Sequence, residues 1–165
     1  MKGKFILKIL LITVRADYGG GPEHIYNLIK DFPEEIKFFI AAPKDFPYWE
    51  KFSGIVSNDS MIEIPHRKFS INSLIHLIKF VKKKNINIIH SHGKGAGIYS
   101  RILALFTHKK CLHTFHGFHI DAYNKLQKYI YILLEKILSI FTAKIISVSK
   151  SELQQLIENN IAKKK

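Results

Sequence analysis

Residues 17–24 read DYGGGPEH, three consecutive glycines between an apolar run and a helical pattern. Glycine is entropically expensive to order, so a cluster of them needs a reason. At Gly19, Gly20 and Gly21 backbone N–H groups can approach a ligand with no side chain in the way. Pro22 suits the first helical position, where its missing N–H would be unpaired in any case. A helix starting there adds a partial positive charge at its N-terminus. Together these describe a cradle for an anion, phosphate above all; a tight strand-to-helix turn without a ligand is the alternative. The dinucleotide fingerprint G-x-G-x-x-G fails because His24 takes the third glycine's place, and the P-loop pattern is absent.

A second group of chemically capable residues is imidazole-rich. IIHSHGKGAG puts His90 and His92 on one face of an extended segment and surrounds Lys94 with Gly93, Gly95 and Gly97, while HTFHGFHID supplies His113, His116 and His119. Five histidines raise the question of a metal. Their spacings fall partly on strands, where side chains alternate, so three are not expected to converge locally, and zinc sites often add a cysteine or carboxylate. No metal is expected. One or two of the rings, with Lys94 beside them, are better suited to hydrogen-bond a substrate hydroxyl or phosphate; His92 belongs in that set. His113 reads as a core histidine. His116 is the sharpest candidate: it ends a buried strand, and Gly117 after it permits a tight turn and close ligand approach. An imidazole there can orient or polarise a hydroxyl; a loop histidine without a role is the alternative.

These residues must be positioned by the elements around them. KFILKILLITV is a continuous apolar run, as in a strand buried on both faces. Helix PEHIYNLIKDF follows, with Ile25, Leu28 and Ile29 at helical spacing, then strand IKFFIAAP. Residues 44–60 are turn-rich and read as irregular, and MIEIP is a short strand. SINSLIHLIKFVKKK is a helix expected to face inward with Leu74, Ile75, Ile78 and Val81, its lysines in the last turn where the dipole favours them. INIIHSH, KCLHTF and AKIISVS are strands; GAGIYSRILALFT, YNKLQKYIYILLEKILSIF and KSELQQLIENN are helices, the last with Ser149 and Glu152 at capping-box spacing. Strands separated by helices predict an α/β fold: an open, doubly wound, Rossmann-like and mostly parallel sheet with helices on both faces. Ligands of such sheets bind beyond the carboxyl ends of the strands, where strand order reverses.

The bulk numbers fit one globular domain of 165 residues, 47% hydrophobic with five prolines. Cys111 is alone and cannot form an internal disulfide, which makes a reducing, cytoplasmic setting the default. The net charge of +13 favours an anionic partner, or serves only as a solubilising surface. The lysines come in short clusters without interleaved aromatics, and zinc-finger spacing is absent, so nucleic acid is not expected as a partner. Lys8 interrupts the N-terminal apolar stretch and no small-residue cleavage site follows, so a buried first strand is preferred over a signal peptide.

GGGPEH after the first strand, IIHSHGKGAG, TFHGFH and IISVSKSELQQL, in that order and at these separations, resemble the N-terminal half of family-four glycosyltransferases, retaining enzymes of two-domain GT-B architecture. The resemblance covers nearly the whole chain. It implies a domain that mainly binds the acceptor, opposite a second domain that holds most of a nucleotide-sugar donor. The donor is a substrate, and no further cofactor is implied. The resemblance places Gly19–Gly21 near the donor diphosphate and His116 beside the transferred sugar and acceptor. Ser149 matches a recurring serine, for which a helix cap is an equal explanation. The family's glutamate pair, separated by seven residues in the second domain, is not met: no two of the eight glutamates differ by eight. No Asp-x-Asp occurs either. The expectation is a single Rossmann-like domain over 1–165 with the donor-binding domain absent, inactive alone, in synthesis of polysaccharide, lipopolysaccharide or glycolipid. A non-catalytic partner subunit or pseudoenzyme of a split transferase, completed by a separate donor-binding chain, is the alternative. The acceptor class is a glycan or a lipid-linked sugar.

Residues 126–141 are unusually apolar for a surface helix. Deep packing in the fold is the first reading. Peripheral docking on the inner face of a membrane, with nearby lysines meeting anionic headgroups, is the second, and a patch for a partner is the third.

Overall fold

A computed structural model describes residues 6–33, 35–118, 120 and 122–163. His119, and Lys4 and Phe5 of the expected first strand, lie outside the described residues. The order is β1 (Leu7–Thr13), α1 (Gly20–Lys30), β2 (Ile36–Ala42), α2 (Tyr48–Ser53), β3 (Met61–Glu63), α3 (Ile71–Lys84), β4 (Ile88–His92), α4 (Lys94–Thr107), β5 (Lys110–Thr114), α5 (Lys125–Ser139), β6 (Lys144–Ile146) and α6 (Lys150–Glu158). All five strand pairings are parallel, and the sheet runs β3-β2-β1-β4-β5-β6. The chain winds one way from β1 to β3 and the other way from β4 to β6. The reversal therefore falls between β1 and β4, the expected doubly wound arrangement.

Helices cover both faces because the central strands are apolar on both. Leu10 and Ile12 of β1 point to one layer, with Leu74, Leu77 and Val81 of α3 and Tyr99 and Leu103 of α4. Leu11 points to the other, with Ile25 and Ile29 of α1 and Tyr48 and Phe52 of α2. A third cluster, Phe115, Phe118, Ile120 and Leu156, closes the β6 edge.

Four local expectations are corrected. The stretch 44–60 is not wholly irregular: it holds α2 and a 3-10 turn at Asn58–Ser60. Six residues are too few to display a helical period, and α2 is fixed by burying Tyr48 and Phe52. In α3 the expected Leu74 and Val81 are buried and Ile78 packs against the core, but Leu77 is fully buried where Ile75, 44% exposed, was expected. Helix α1 begins at Gly20, which puts Pro22 third rather than first, still among residues whose N–H has no intrahelical partner. Finally, α5 is not deeply packed: Leu126, Tyr129, Ile130, Leu133, Ile137 and Ile140 are exposed, and only Glu135 and Leu138 are buried.

Candidate functional site

A cavity of about 640 Å³ opens at the carboxyl ends of β1, β4, β5 and β6, bounded by Arg15, Gly20, Gly21, His92, Lys94, His116, Gly117 and neighbouring backbone. It sits at the reversal of strand order. Two helices, α1 and α4, begin at its rim, so two sets of N-terminal amides and two positive dipole ends meet there.

The glycine loop has no packing reason to be glycine at two of its three positions. A β-carbon on Gly20 would meet nothing within 4 Å, and one on Gly21 would stand 3.9 Å from His116 Cδ2, an ordinary contact. Neither residue takes a positive φ. What a side chain there would occupy is the cavity itself, and this favours ligand approach over the bare turn. Gly19 differs: it is the extended N-cap residue, a β-carbon would lie 3.3 Å from Arg15 Nη2, and it stands outside the cavity wall. Arg15 holds the loop by donating to Asp17 Oδ1 (2.7 Å) and Oδ2 (3.0 Å) and to the Tyr18 carbonyl (2.8 Å).

Gly93 and Gly117 do need to be glycine, with φ of 82° and 102°. The Gly117 N–H donates to Glu152 Oε1 at 2.6 Å, and the Val148 N–H donates to Oε2 at 2.9 Å. Glu152, 5% exposed, thus ties the turn after His116 to the end of β6. Only half of the expected capping box forms. Ser149 Oγ accepts the Glu152 N–H at 3.1 Å, but the Glu152 carboxylate reaches Val148 and Gly117. Ser149 is exposed and outside the cavity wall, and its visible role is the helix cap. Glu152 escaped the sequence reading because a buried clamp and a capping-box acid look alike at that spacing.

Of the described histidines on the β4 and β5 segments only His92 and His116 meet through ring nitrogens, in keeping with the expectation from spacing, and a third ring joins them from elsewhere in the chain. His92 Nδ1 and His116 Nε2 are 3.2 Å apart. The ring of His24 packs edge-on against both, with centroids 5.3 and 5.2 Å away. His24, on the second turn of α1, supplies the third ring that β4 and β5 could not provide locally. His90 Nε2 pairs with Thr114 Oγ1 at 2.8 Å beneath them. His113 lies on the opposite face, fully buried, against Ser91 Oγ at 2.8 Å, and is a core histidine as expected.

Burial, with help from His24, holds His116 down to about 4; burial lowers His24 as well and pushes His92 well below the usual imidazole range. The rings are therefore neutral near pH 7. A neutral imidazole can accept a hydrogen bond through one nitrogen and donate through the other, which suits a sugar hydroxyl. Lys94 opens α4, its ammonium over the rings of Tyr123 (4.9 Å) and Tyr131 (4.5 Å) at the cavity rim.

Sheet order, two helix N-termini and neutral imidazoles at the reversal point define a Rossmann-like α/β domain with a cavity at its switch point. The chain belongs to Glycosyltransferase Family 4, whose profile matches residues 18–165. It is 29% identical over 151 residues to the O-antigen biosynthesis glycosyltransferase WbnH of Escherichia coli, covering 90% of this chain and 43% of that one. It is 26% identical over 173 residues to the capsular polysaccharide biosynthesis glycosyltransferase CapH of Staphylococcus aureus, covering 97% and 45%. The chain thus spans less than half the length of these curated relatives. Among solved structures it resembles Anabaena HepE in complex with UDP and glucose, with a TM-score of 0.71 and 11% identity over 93% of this chain and 41% of that one. That likeness establishes the fold.

Proposed function

We propose that the chain is the acceptor-side domain of a retaining GT-B glycosyltransferase that takes sugar from a nucleotide-sugar donor to a glycan or lipid-linked acceptor. The observation that carries this reading is that Gly20, Gly21 and His116 line one cavity side by side: amides for a diphosphate next to a neutral imidazole for hydroxyls. Catalysis by such a wall depends on holding donor and acceptor in one geometry. The described residues supply one side of that clamp. A second, donor-holding domain, in the same polypeptide or in a partner chain, completes it, and without it the site binds but does not turn over. The relatives' roles in O-antigen and capsule synthesis support a surface-glycan product. A third relative, 39% identical over 75 residues, is an Escherichia coli galactosyltransferase acting on a diphosphoundecaprenol-linked sugar, which supports a lipid-linked acceptor.

Such acceptors are presented at a membrane. Among the described residues no helix is long and apolar enough to cross one. The exposed apolar stripe of α5, flanked by Lys125 and Lys128, is suited instead to lie on an anionic surface on the cytoplasmic side.

The test is calorimetric titration with UDP, GDP and a panel of their sugars, in the presence and absence of a donor-binding domain from a relative. The reading expects binding that depends on the diphosphate and on the sugar, weakened by His116→Ala. Binding that ignores the sugar entirely would point instead to a nucleotide module of another kind. Binding without turnover in the completed protein would support the non-catalytic partner.

A further inference from the structure

We propose that His24, His92 and His116 form a binding site for a borderline divalent cation, zinc above all. One ring nitrogen from each residue lies within 4.8 Å of the other two. One edge, the 3.2 Å between His92 Nδ1 and His116 Nε2, already matches the edge of about 3.3 Å that a tetrahedron with Zn–N bonds of about 2.0–2.1 Å requires. Drawing in the His24 ring closes the remaining distance, and that ring stands edge-on to both partners.

His92 is 3% exposed, and the nitrogen it turns toward His116 is Nδ1, so a buried ring already aims a ligand-capable atom into the cluster. The three rings also come from three separate elements, so the sheet and α1 hold them before any ion arrives. The His92 ring is backed by that of His90, 4.3 Å away, which is itself tied to Thr114.

Three imidazoles leave a fourth position facing the cavity that His92 and His116 line, open to water or to a phosphate oxygen. An all-nitrogen set selects zinc, cobalt, nickel or copper and rejects magnesium, which demands oxygen. The other group of metal-capable side chains, Asp17, Asp45 and His66, carries no such inference, because Asp17 is already paired with Arg15 at 2.7 Å and Asp45 with His66. Cation binding at the histidines stands apart from the glycosyltransferase reading. Only its consequence rests on that reading: an ion held there withdraws His116 from the sugar and inhibits.

The experiment uses Co²⁺ as a visible probe and Zn²⁺ as its competitor, on the whole chain. One equivalent of Co²⁺ should give the intense d–d absorption of a four-coordinate ion, displaced by Zn²⁺ and untouched by Mg²⁺. His24→Asn should weaken binding by at least about tenfold, while His66→Asn leaves it unchanged. X-ray absorption on the zinc-loaded native chain provides a readout that does not depend on a variant folding, and three imidazole ligands are expected. Fewer than three, carboxylate ligation, or a Co²⁺ affinity indifferent to His24→Asn in a folded variant would overturn the assignment. Nucleotide-sugar titration plays no part in these readouts, so the two proposals fail separately.

Discussion

The Glu152 carboxylate accepts the Gly117 N–H at 2.6 Å, joining the helix after β6 to the turn that carries His116. The strands β5 and β6 are parallel neighbours, and beyond the Phe115 N–H, which donates to the Ile146 carbonyl at 2.9 Å, the carboxylate carries the tie between their following turns. A charge-assisted bond to a backbone amide is stronger than a neutral one, and this carboxylate makes two.

Glu152→Gln keeps the shape but turns one oxygen into a donor facing a donor. One of the two amides then loses its acceptor, at a cost of about 1.5–3 kcal/mol in urea unfolding. Nucleotide-sugar affinity should fall too, although Glu152 itself does not border the cavity. A variant with unchanged stability and unchanged affinity would show that the carboxylate is not what fixes the His116 turn.

Gly20→Ala and Gly21→Ala separate ligand approach from turn geometry. Both positions are helical with room for a methyl group, and alanine is favoured over glycine in helices by up to about 1 kcal/mol, somewhat less in a first turn. Thermal stability should hold or rise. Binding of nucleotide diphosphates should weaken, because the methyl groups enter the cavity. Loss of stability with binding intact would return the loop to a bare turn.

Much of the fold was legible because continuous apolar strands alternating with helical periods leave few topologies open. The cavity's address followed from the same rule, and Gly20, Gly21, His92, Lys94, His116 and Gly117 do meet there. Three things were hidden for physical reasons. His24 lies 68 residues before His92 and 92 before His116 (92 − 24 and 116 − 24), and its approach is a tertiary event that no local spacing encodes. Glu152 has the same sequence position as a capping acid, and only the folded turn reveals that it reaches Gly117. In α5 the apolar residues do not say whether they face protein or solvent, and here most face solvent.

Acid should unfold the domain earlier than its few carboxylates suggest. Burial lowers His90 to about 4, and burial followed by Arg101 pushes His113 well below the usual imidazole range. In the unfolded chain both titrate near pH 6.5. Above that value the two states bind equally few protons. As pH falls below about 6.5 the unfolded state gains protons that the folded state refuses, so stability drops until the folded pKa is passed. For His90 the full loss is on the order of 3 kcal/mol. Urea midpoints measured from about pH 7 to about pH 4.5 should decline steadily; a flat profile across that window would mean the rings are already solvated.

The last prediction concerns how α5 stays attached while exposing so much apolar surface. Arg101 of α4 is fully buried, with Nη2 3.1 Å from Glu135 Oε2 and Nε donating to Thr142 Oγ1 at 2.9 Å. Gly97 makes room for it, since a β-carbon there would sit 2.7 Å from Arg101 Nη1. Burial raises the Glu135 carboxyl, and Arg101 opposes that rise. Removing one partner leaves the other charge buried and alone, so Glu135→Ala should cost about 3–5 kcal/mol. Replacing both with apolar residues of similar size removes the unpaired charge, so Arg101→Met with Glu135→Leu should recover most of that loss. If the single and double variants unfold at the same urea concentration, the pair is not what anchors α5, and its attachment must come from Leu138 and the aromatic contacts of Tyr131 with Phe118 and Tyr123.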